Sequence, residues 1–574
     1  MHGETNLLTL LGTRRFWPLC LTQACGGLND NLVRNALVVL ALFKAGAAGP
    51  VLVALAAGLF MFPYMLLSAT AGQLADSHDK AWLIRVLKVA ELLLMGVAAL
   101  GFLTDSVAVL LVVLVGLGVQ ASFFGPLKYG ILPDHLRREE LVTGNGLIEA
   151  TTFLAILVGT MAGGWLILLP QGAMIISTAG LSIAAIGLLS ALPIPPAPPR
   201  GDVAPVDWHI LRATASVVRQ ERAELGIWRP IIGISWFWTL GATLIAEFPV
   251  VAKDTLGASG EVVSLFLTMF SFGIGIGSLL CARVLHGEAT ARYVPVTLLG
   301  ISLFTWDFAT SSAGAQGLVS VTDIVASPHG WRILLDLVLL SVCGGFYSVP
   351  LYALIQQRAD PAWRARSIAA NNVVNAAFMV GGAIVAAGLA AAGAAAPHIL
   401  ALTALVNLVA VVWSVQFLPL SVARPVVRAY VRLFHGITVK GLEHYPPAGE
   451  RAVVVPNHLS FADAPLLAAF LPGDLVFVVD TFIATRRWVR PFLSMIRVFR
   501  VDPLNPYAVR RMIQTVKDGQ RLVLFPEGRI SQTGGLMKIY DGAGMIADKA
   551  AAKLVPVRIE GTQFSHHCFG LAWY

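Results

Sequence analysis

The sequence predicts a helical membrane protein of twelve spans, arranged as two six-helix halves, followed by a small α/β domain. Three observations predict it. The 574 residues are 56% hydrophobic and only 13% charged, so much of the chain belongs in lipid. Twelve apolar stretches approach the ~20 residues that a spanning helix needs. After about residue 436 these give way to short β-branched runs separated by helical or loop segments.

The spans fall near 16–43, 50–72, 82–103, 107–129, 146–169, 171–194, 228–251, 260–284, 293–312, 333–356, 367–392 and 396–418. The first is interrupted by Asn29-Asp30-Asn31 and ends without a small-residue cleavage site, so it reads as a retained span rather than a signal peptide. Lys and Arg alternate sides with the count. Arg14, Arg15, Lys80, Arg85, Arg137, Arg138, the 200–222 segment, Arg283, Arg292, the 358–366 segment and the 424–432 segment share one side, while the opposite loops carry Lys44, Lys253 and Arg332. Such asymmetry predicts that both termini are cytoplasmic.

A Pro-rich stretch opens the linker, 196–225, and divides the membrane region into halves 10–195 and 226–420. Weak internal similarity supports the division. Phe123-Phe124-Gly125-Pro126-Leu127-Lys128-Tyr129, a basic loop and Gly144-Asn145-Gly146 find an echo in Phe346-Tyr347-Ser348-Val349-Pro350-Leu351-Tyr352, a basic loop and Asn371-Asn372. Repeated halves are the raw material of carriers with a central site.

The domain boundary is placed at 422/423. The first 422 residues hold 22 basic and 22 acidic side chains, whereas 423–574 hold 19 and 11, so the entire excess of +8 lies in the tail. A basic domain behind membrane spans meets anionic lipid before nucleic acid. Arg424, Arg428 and Arg432 at helical spacing, with Val427, Val431 and Phe434 on another face, suggest a helix lying on the membrane surface. Phe482 to Phe499 mixes Arg486, Arg487, Arg490 and Arg497 with Trp488, Phe492 and Met495, a pattern suited either to a headgroup layer or to a plain surface helix. The five cysteines lack metal or redox spacing, and His566 and His567 lack further ligands, so no metal is expected.

Ionisable residues inside spans are costly unless they face a wet cavity or a partner. Asp30, Lys128, Glu149 and Glu247 are therefore transport candidates. Lys88 with Glu91, and Asp30 with Arg34, also have the spacing of simple ion pairs. Gly72-Gln73-Leu74-Ala75-Asp76-Ser77-His78-Asp79-Lys80 resembles the loop signature of the major facilitator superfamily, with His78, Asp79 and Lys80 replacing its second glycine and part of its basic run. The resemblance implies that Asp76 takes part in an acid–base pairing across helix ends that holds one conformation. Gln23 to Asn35, Phe124 to Tyr129, Asn145 to Ala150 and Gly273 to Ser278 together resemble the lysophospholipid transporters of Gram-negative bacteria, over about residues 10–420. That implies a lysophospholipid cargo and a bacterial inner-membrane location, with a cavity offering both signs of charge to a zwitterionic headgroup.

In the tail, Asn457-His458-Leu459-Ser460-Phe461-Ala462-Asp463 follows a predicted strand and resembles the His-x4-Asp signature of glycerolipid acyltransferases. Three further blocks follow in that family's order: Arg497 to Asp502, Phe525-Pro526-Glu527-Gly528-Arg529, and Val555 to Gly561. Acyl transfer to a hydroxyl needs a base of near-neutral pKa, which histidine supplies, and an acid to orient it. His458 and Asp463 are the catalytic candidates. Gly528 lets backbone approach, Arg529 and Arg500 can grip a phosphate, and the resemblance gives Glu527 a polar positioning role.

Gly534 to Gly544 looks most like the acyltransferase part of the bifunctional 2-acylglycerophosphoethanolamine acyltransferase and acyl-carrier-protein synthetase. The adenylate-forming domain of that family has no counterpart in these residues. The expectation is no bound cofactor. Acyl carrier protein or coenzyme A thioester arrives as the donor substrate, carrier protein is a partner, or else the chain is part of a longer fusion. Re-acylation of imported lysophospholipid, acylation of 1-acylglycerol 3-phosphate, and an inactive tail on a transporter remain the three readings of the whole.

Overall fold

A computed structural model describes residues 7–44, 49–200, 205–315, 317–415, 428–429, 431–433, 435–447, 450–473, 475–486, 493, 496–501, 507–531 and 534–564. The chain divides into two compact units, Met1–Val412 and Trp413–Tyr574.

The first unit is built from twelve long helices among the described residues: α1 Trp17–Lys44, α2 Gly49–Ser77, α3 Lys80–Leu103, α4 Val107–Gly130, α5 Leu141–Leu166, α6 Gly172–Ala191, α7 Leu225–Val250, α8 Gly260–Leu285, α9 Val294–Gly314, α10 Pro328–Arg358, α11 Arg364–Ala391 and α12 Ala396–Ser414. Ten of them, α3 to α12, are long and apolar enough to cross a membrane. Their boundaries follow local chemistry. Ser106 caps α4 by accepting from the amide of Val109, and Asp79 caps α3 through the amide of Trp82 while its other oxygen holds the amide of Ala197 in the linker.

Most spans are apolar around their whole circumference, as burial in lipid and protein together requires. They approach closely where glycine removes the side chain. A Cβ on Gly163 would strike the carbonyl of Leu32, and one on Gly277 the carbonyl of Val342. The halves meet along α5 with α8 and along α2 with α11. Between them the linker helix Ile210–Ala223 packs Ala213, Val217 and Glu221 inward and leaves its arginines exposed. Burial pushes the Glu221 carboxyl up, opposed by the Ser367 hydroxyl that donates to it at 2.9 Å.

The second unit is a five-stranded, all-parallel sheet in the order β3-β2-β4-β1-β5, with β1 Ala452–Pro456, β2 Leu475–Asp480, β3 Arg497–Val501, β4 Arg521–Val523 and β5 Lys553–Val557. Val453, Val476 and Leu522 face α14 (Tyr507–Lys517) and α15 (Gly542–Ala550), while Val454, Phe477 and Val523 face α13 (Asp463–Phe470). Both faces are covered, which is why the central strands read as continuous apolar runs. Strand β3 falls outside the β-branched runs of the sequence reading. It is an edge strand whose Arg497 and Arg500 stay exposed.

Of the proposed surface helix, Arg424, Val427 and Phe434 lie outside the described residues, and so do Arg487, Trp488, Arg490, Phe492, Met495, Asp502, His566 and His567. Of its described arginines, Arg428 is half-buried and Arg432 exposed. Arg428 donates to the carbonyl of Ala469 at 2.5 Å, and both Arg428 and Arg432 lie over the ring of Phe470.

Candidate functional site

In a parallel sheet the loops after the strands gather at one edge, where open α/β folds place ligands. His458 stands two residues beyond β1 at that edge, and Asp463 opens α13. His458 Nδ1 lies 3.0 Å from Asp463 Oδ2, which also accepts from the amides of Leu459 and Ser460 at 2.7 Å each. Asp463 Oδ1 accepts from the hydroxyl of Thr562 at 2.8 Å, and the residue is fully buried. Two backbone N–H donors on Oδ2 fix it as an acceptor, so the proton shared with the ring belongs to Nδ1. Nε2 is thereby left with its lone pair, on a side chain 17% exposed. The imidazole stacks on Phe525 with ring centroids 4.0 Å apart.

Glu527 is buried and braces two loops at once. Its Oε1 accepts from the amide of His458 at 2.9 Å and its Oε2 from the amide of Met537 at 3.0 Å. Gly528 has φ +69°, a conformation that favours glycine. Arg529 follows it, exposed and without a hydrogen-bond or ion-pair partner among the described residues. Arg500 lies opposite Val479 at the same edge of the sheet, two strands out from β4, about 10 Å away at the usual strand spacing. The structure thus brings His458, Asp463, Glu527 and Gly528 together and sets Arg500 at the rim.

Thr562 is absent from the sequence reading, which stopped one residue short at Gly561. Asn457 and Ile559 exchange two bonds, at 2.6 and 2.9 Å, and these hold the loop after β5 against the histidine loop.

In the first unit, Asp30 on α1 and Lys128 on α4 lie within Coulombic range of one another, as do Lys128 and Glu149 on α5. Asp30 Oδ1 is buried without a hydrogen-bond partner. Arg34, at i,i+4 from Asp30, also lies within Coulombic range of it but makes its hydrogen bond to Asn31, at 2.5 Å, and lies over Phe60. The Lys88–Glu91 pair does form, at 2.6 Å and fully buried, and Glu91 also accepts from Asn29 and Gln120. Glu149 accepts from Tyr129 at 3.3 Å and, across the halves, from Ser348 at 3.1 Å. Glu247 sits apart, near the end of α7 away from the basic loops, with no charged group in range among the described residues. A shallow apolar crevice with only ≈ 20 Å³ of free volume lies between Phe237, Leu240, Phe270, Ile274 and Leu340 in the second half.

At the basic ends of the spans the halves are tied together. Asp76 accepts from the amides of Ala365 and Arg366, at 2.9 and 3.0 Å, and so caps α11 of the other half. Of the acid–base pairing expected across helix ends, Asp76 thus meets backbone amides, while Lys80 turns to Asp134 at 3.2 Å, a carboxylate that Arg200 and Arg364 also approach. Gly72 lies inside α2 rather than in a turn, where a Cβ would collide with Ala369 and the carbonyl of Ala365. Asn145 and Gln356 exchange side-chain bonds at 2.6 and 3.1 Å, and Tyr129 stacks on Tyr352 with centroids 4.4 Å apart and planes 7° from parallel. Asp134, Gln356, Ser348 and Arg364 were not singled out from sequence. Tyr129 and Tyr352, however, end the two echoing segments, and that symmetry was a usable signal.

Two bundled halves around buried charges, followed by a sheet whose edge carries an oriented imidazole, define a multi-pass membrane transporter fused to an acyltransferase domain. The family described as Major Facilitator Superfamily matches residues 19–386, and one described as Acyltransferase matches residues 436–560. The chain belongs to the Major Facilitator Superfamily. It is 28% identical over 390 residues to proteins named lysophospholipid transporter LplT from Escherichia coli O157:H7 and Shigella boydii serotype 18, covering 65% of this chain and 87% of each relative. Among solved structures, the human organic anion transporter MFSD10 (TETRAN) matches with a TM-score of 0.59 at 14% identity, over 70% of this chain and 99% of that one. A bacterial homologue of the iron transporter ferroportin in an outward-facing state matches with a TM-score of 0.51 at 15% identity, over 71% of this chain and 99% of that one. At such identities these two likenesses concern the fold alone.

Proposed function

We propose that the protein moves lysophospholipid across the bacterial inner membrane and re-acylates it, on the cytoplasmic side, from an acyl thioester. The observation that carries the catalytic half is the His458–Asp463 couple, whose surroundings leave Nε2 as a free base. The acceptor hydroxyl oxygen attacks the thioester carbonyl while Nε2 takes the hydroxyl proton. The C–S bond then breaks, the thiolate takes the proton back from the imidazolium, and diacyl lipid and free thiol leave. Asp463 stabilises the transient cation without itself becoming protonated. No covalent acyl-enzyme and no bound cofactor enter the scheme; acyl carrier protein or coenzyme A brings the acyl group.

Arg529, exposed directly after Gly528, grips the acceptor phosphate, with Arg500 able to reach inward from the rim. Glu527 positions the histidine loop and Gly528 gives the phosphate access. In the membrane half, Asp30, Lys128 and Glu149 offer both signs of charge to a zwitterionic headgroup, the apolar walls of the spans accommodate the tail, and Asp76 is the gate on the basic side, which is the cytoplasmic face in this reading. Glu247, away from the cluster, is a candidate for entry at the opposite face.

The test is an acylation assay of the purified chain in proteoliposomes, with acyl-carrier-protein thioester and a panel of lysolipids. 2-Acyl-glycerophosphoethanolamine is expected to be the best acceptor. Preference for 1-acylglycerol 3-phosphate would replace the headgroup assignment, and no acylation of any acceptor would leave the chain a transporter.

A further inference from the structure

The loop Gly534–Tyr540 has an unusual combination of firm attachment and apolar exposure. Its backbone is fastened to the catalytic edge at three points: Met537 donates to Glu527 at 3.0 Å, Tyr540 to the carbonyl of Pro526 at 3.0 Å, and the Ser531 hydroxyl to the carbonyl of Gly535 at 2.6 Å. Ser531 in turn donates its amide to the carbonyl of His458 at 2.7 Å. Yet Leu536, Ile539 and Tyr540 are 68%, 52% and 57% exposed. Large apolar side chains held outward by a bonded backbone mark a surface that is covered in use.

The chemistry of the cover follows from the charges among them. Lys538 Nζ lies 5.3 Å from the centre of the Tyr540 ring, and Arg529 is exposed beside Gly528, whose Cβ position is 3.8 Å from that same ring. Apolar tips interleaved with cations fit an anionic bilayer surface, where aromatic and aliphatic groups enter the acyl boundary and cations meet phosphates. Further along the same edge of the sheet, just past β2, Phe482 is 68% exposed.

We propose that the Gly534–Tyr540 loop inserts into the anionic leaflet of the membrane that holds the spans, so that His458 faces lipid and takes its acceptor directly from the bilayer. This rests on the acyltransferase reading for its purpose, but the docking itself is read independently of activity. A leaflet is favoured over a carrier protein because the exposed apolar tips outnumber the cations between them, and because a lipid acceptor has to reach the same edge.

The test uses the full chain in nanodiscs containing phosphatidylglycerol. An environment-sensitive dye is placed on Leu536→Cys or, as reference, on Asp518→Cys beyond α14 at the opposite edge of the sheet, with labelled parent protein as background. Spin-labelled lipid is expected to quench the dye at 536 several-fold more than at 518. Equal quenching, no quenching, or a response at 536 only to added carrier protein overturns the proposal. In a second arm, the triple variant Leu536→Ser, Lys538→Ser, Ile539→Ser is expected to raise KM for bilayer-resident lysolipid about tenfold while leaving the rate on a short-chain, water-soluble acceptor unchanged. An equal loss on both acceptors shows a structural role and overturns it. If the parent acylates neither acceptor, the catalytic reading fails, and the quenching still decides docking.

Discussion

Asp463 accepts four hydrogen bonds, from two amides, an imidazole N–H and a hydroxyl, which uses the capacity of a carboxylate fully. Together these donors hold the carboxylate in the orientation that meets Nδ1 of His458. Thr562→Val removes one donor and leaves Oδ1 buried and unsatisfied. The expected outcome is a fall in kcat of about tenfold with KM little changed. Thr562→Ser should restore the rate, and an undiminished kcat in Thr562→Val would count against the contact. His458→Ala removes the base itself and should lower acylation at least about a hundredfold, measured against unchanged lysolipid uptake.

At the level of elements, the close approach of α5 and α8 is the sharpest constraint. A Cβ on Gly146 would lie 2.7 Å from the carbonyl of Ser278, which is backbone and cannot swing away. Gly146→Leu should therefore pry the halves apart at the basic ends. Cysteines at Asn145 and Gln356, whose side chains touch in this conformation, should cross-link readily in the parent and several-fold less in the variant. Much of this architecture was legible beforehand. The twelve long helices announce themselves because lipid admits only continuous apolar helices, and the central strands because both faces of the sheet are covered. Strand β3 escaped because an edge strand need not be apolar, and Arg497 and Arg500 broke the run. The His458–Asp463 pair was visible because both members fall within six residues. The tie between the halves was less so: Asp76 meets backbone amides of Ala365 and Arg366, almost 290 positions later, and backbone donors leave no mark in side-chain chemistry. Asp134 gathers Lys80, Arg200 and Arg364 from three separate segments, a convergence that only folding makes.

For the molecule as a whole, the division of charge predicts a division of behaviour. The transporter region is balanced while the tail carries the +8, so raising ionic strength should slow acylation on anionic membranes and leave uptake nearly unchanged. A similar salt response of both activities would mean that they share a rate-limiting step. The ties between halves have a consequence of another kind. The capped α11, the Asn145–Gln356 exchange and the Tyr129–Tyr352 stack all sit at the basic ends, and a few hydrogen bonds of net ~1 kcal/mol each bias the empty carrier by about 2 kcal/mol or more. A binding-competent form that is rare on one side weakens apparent affinity there by its own scarcity. Lysolipid offered from the basic side should then half-saturate at roughly thirtyfold higher concentration than lysolipid offered from the far side, a built-in rectification that sided vesicle assays would read directly.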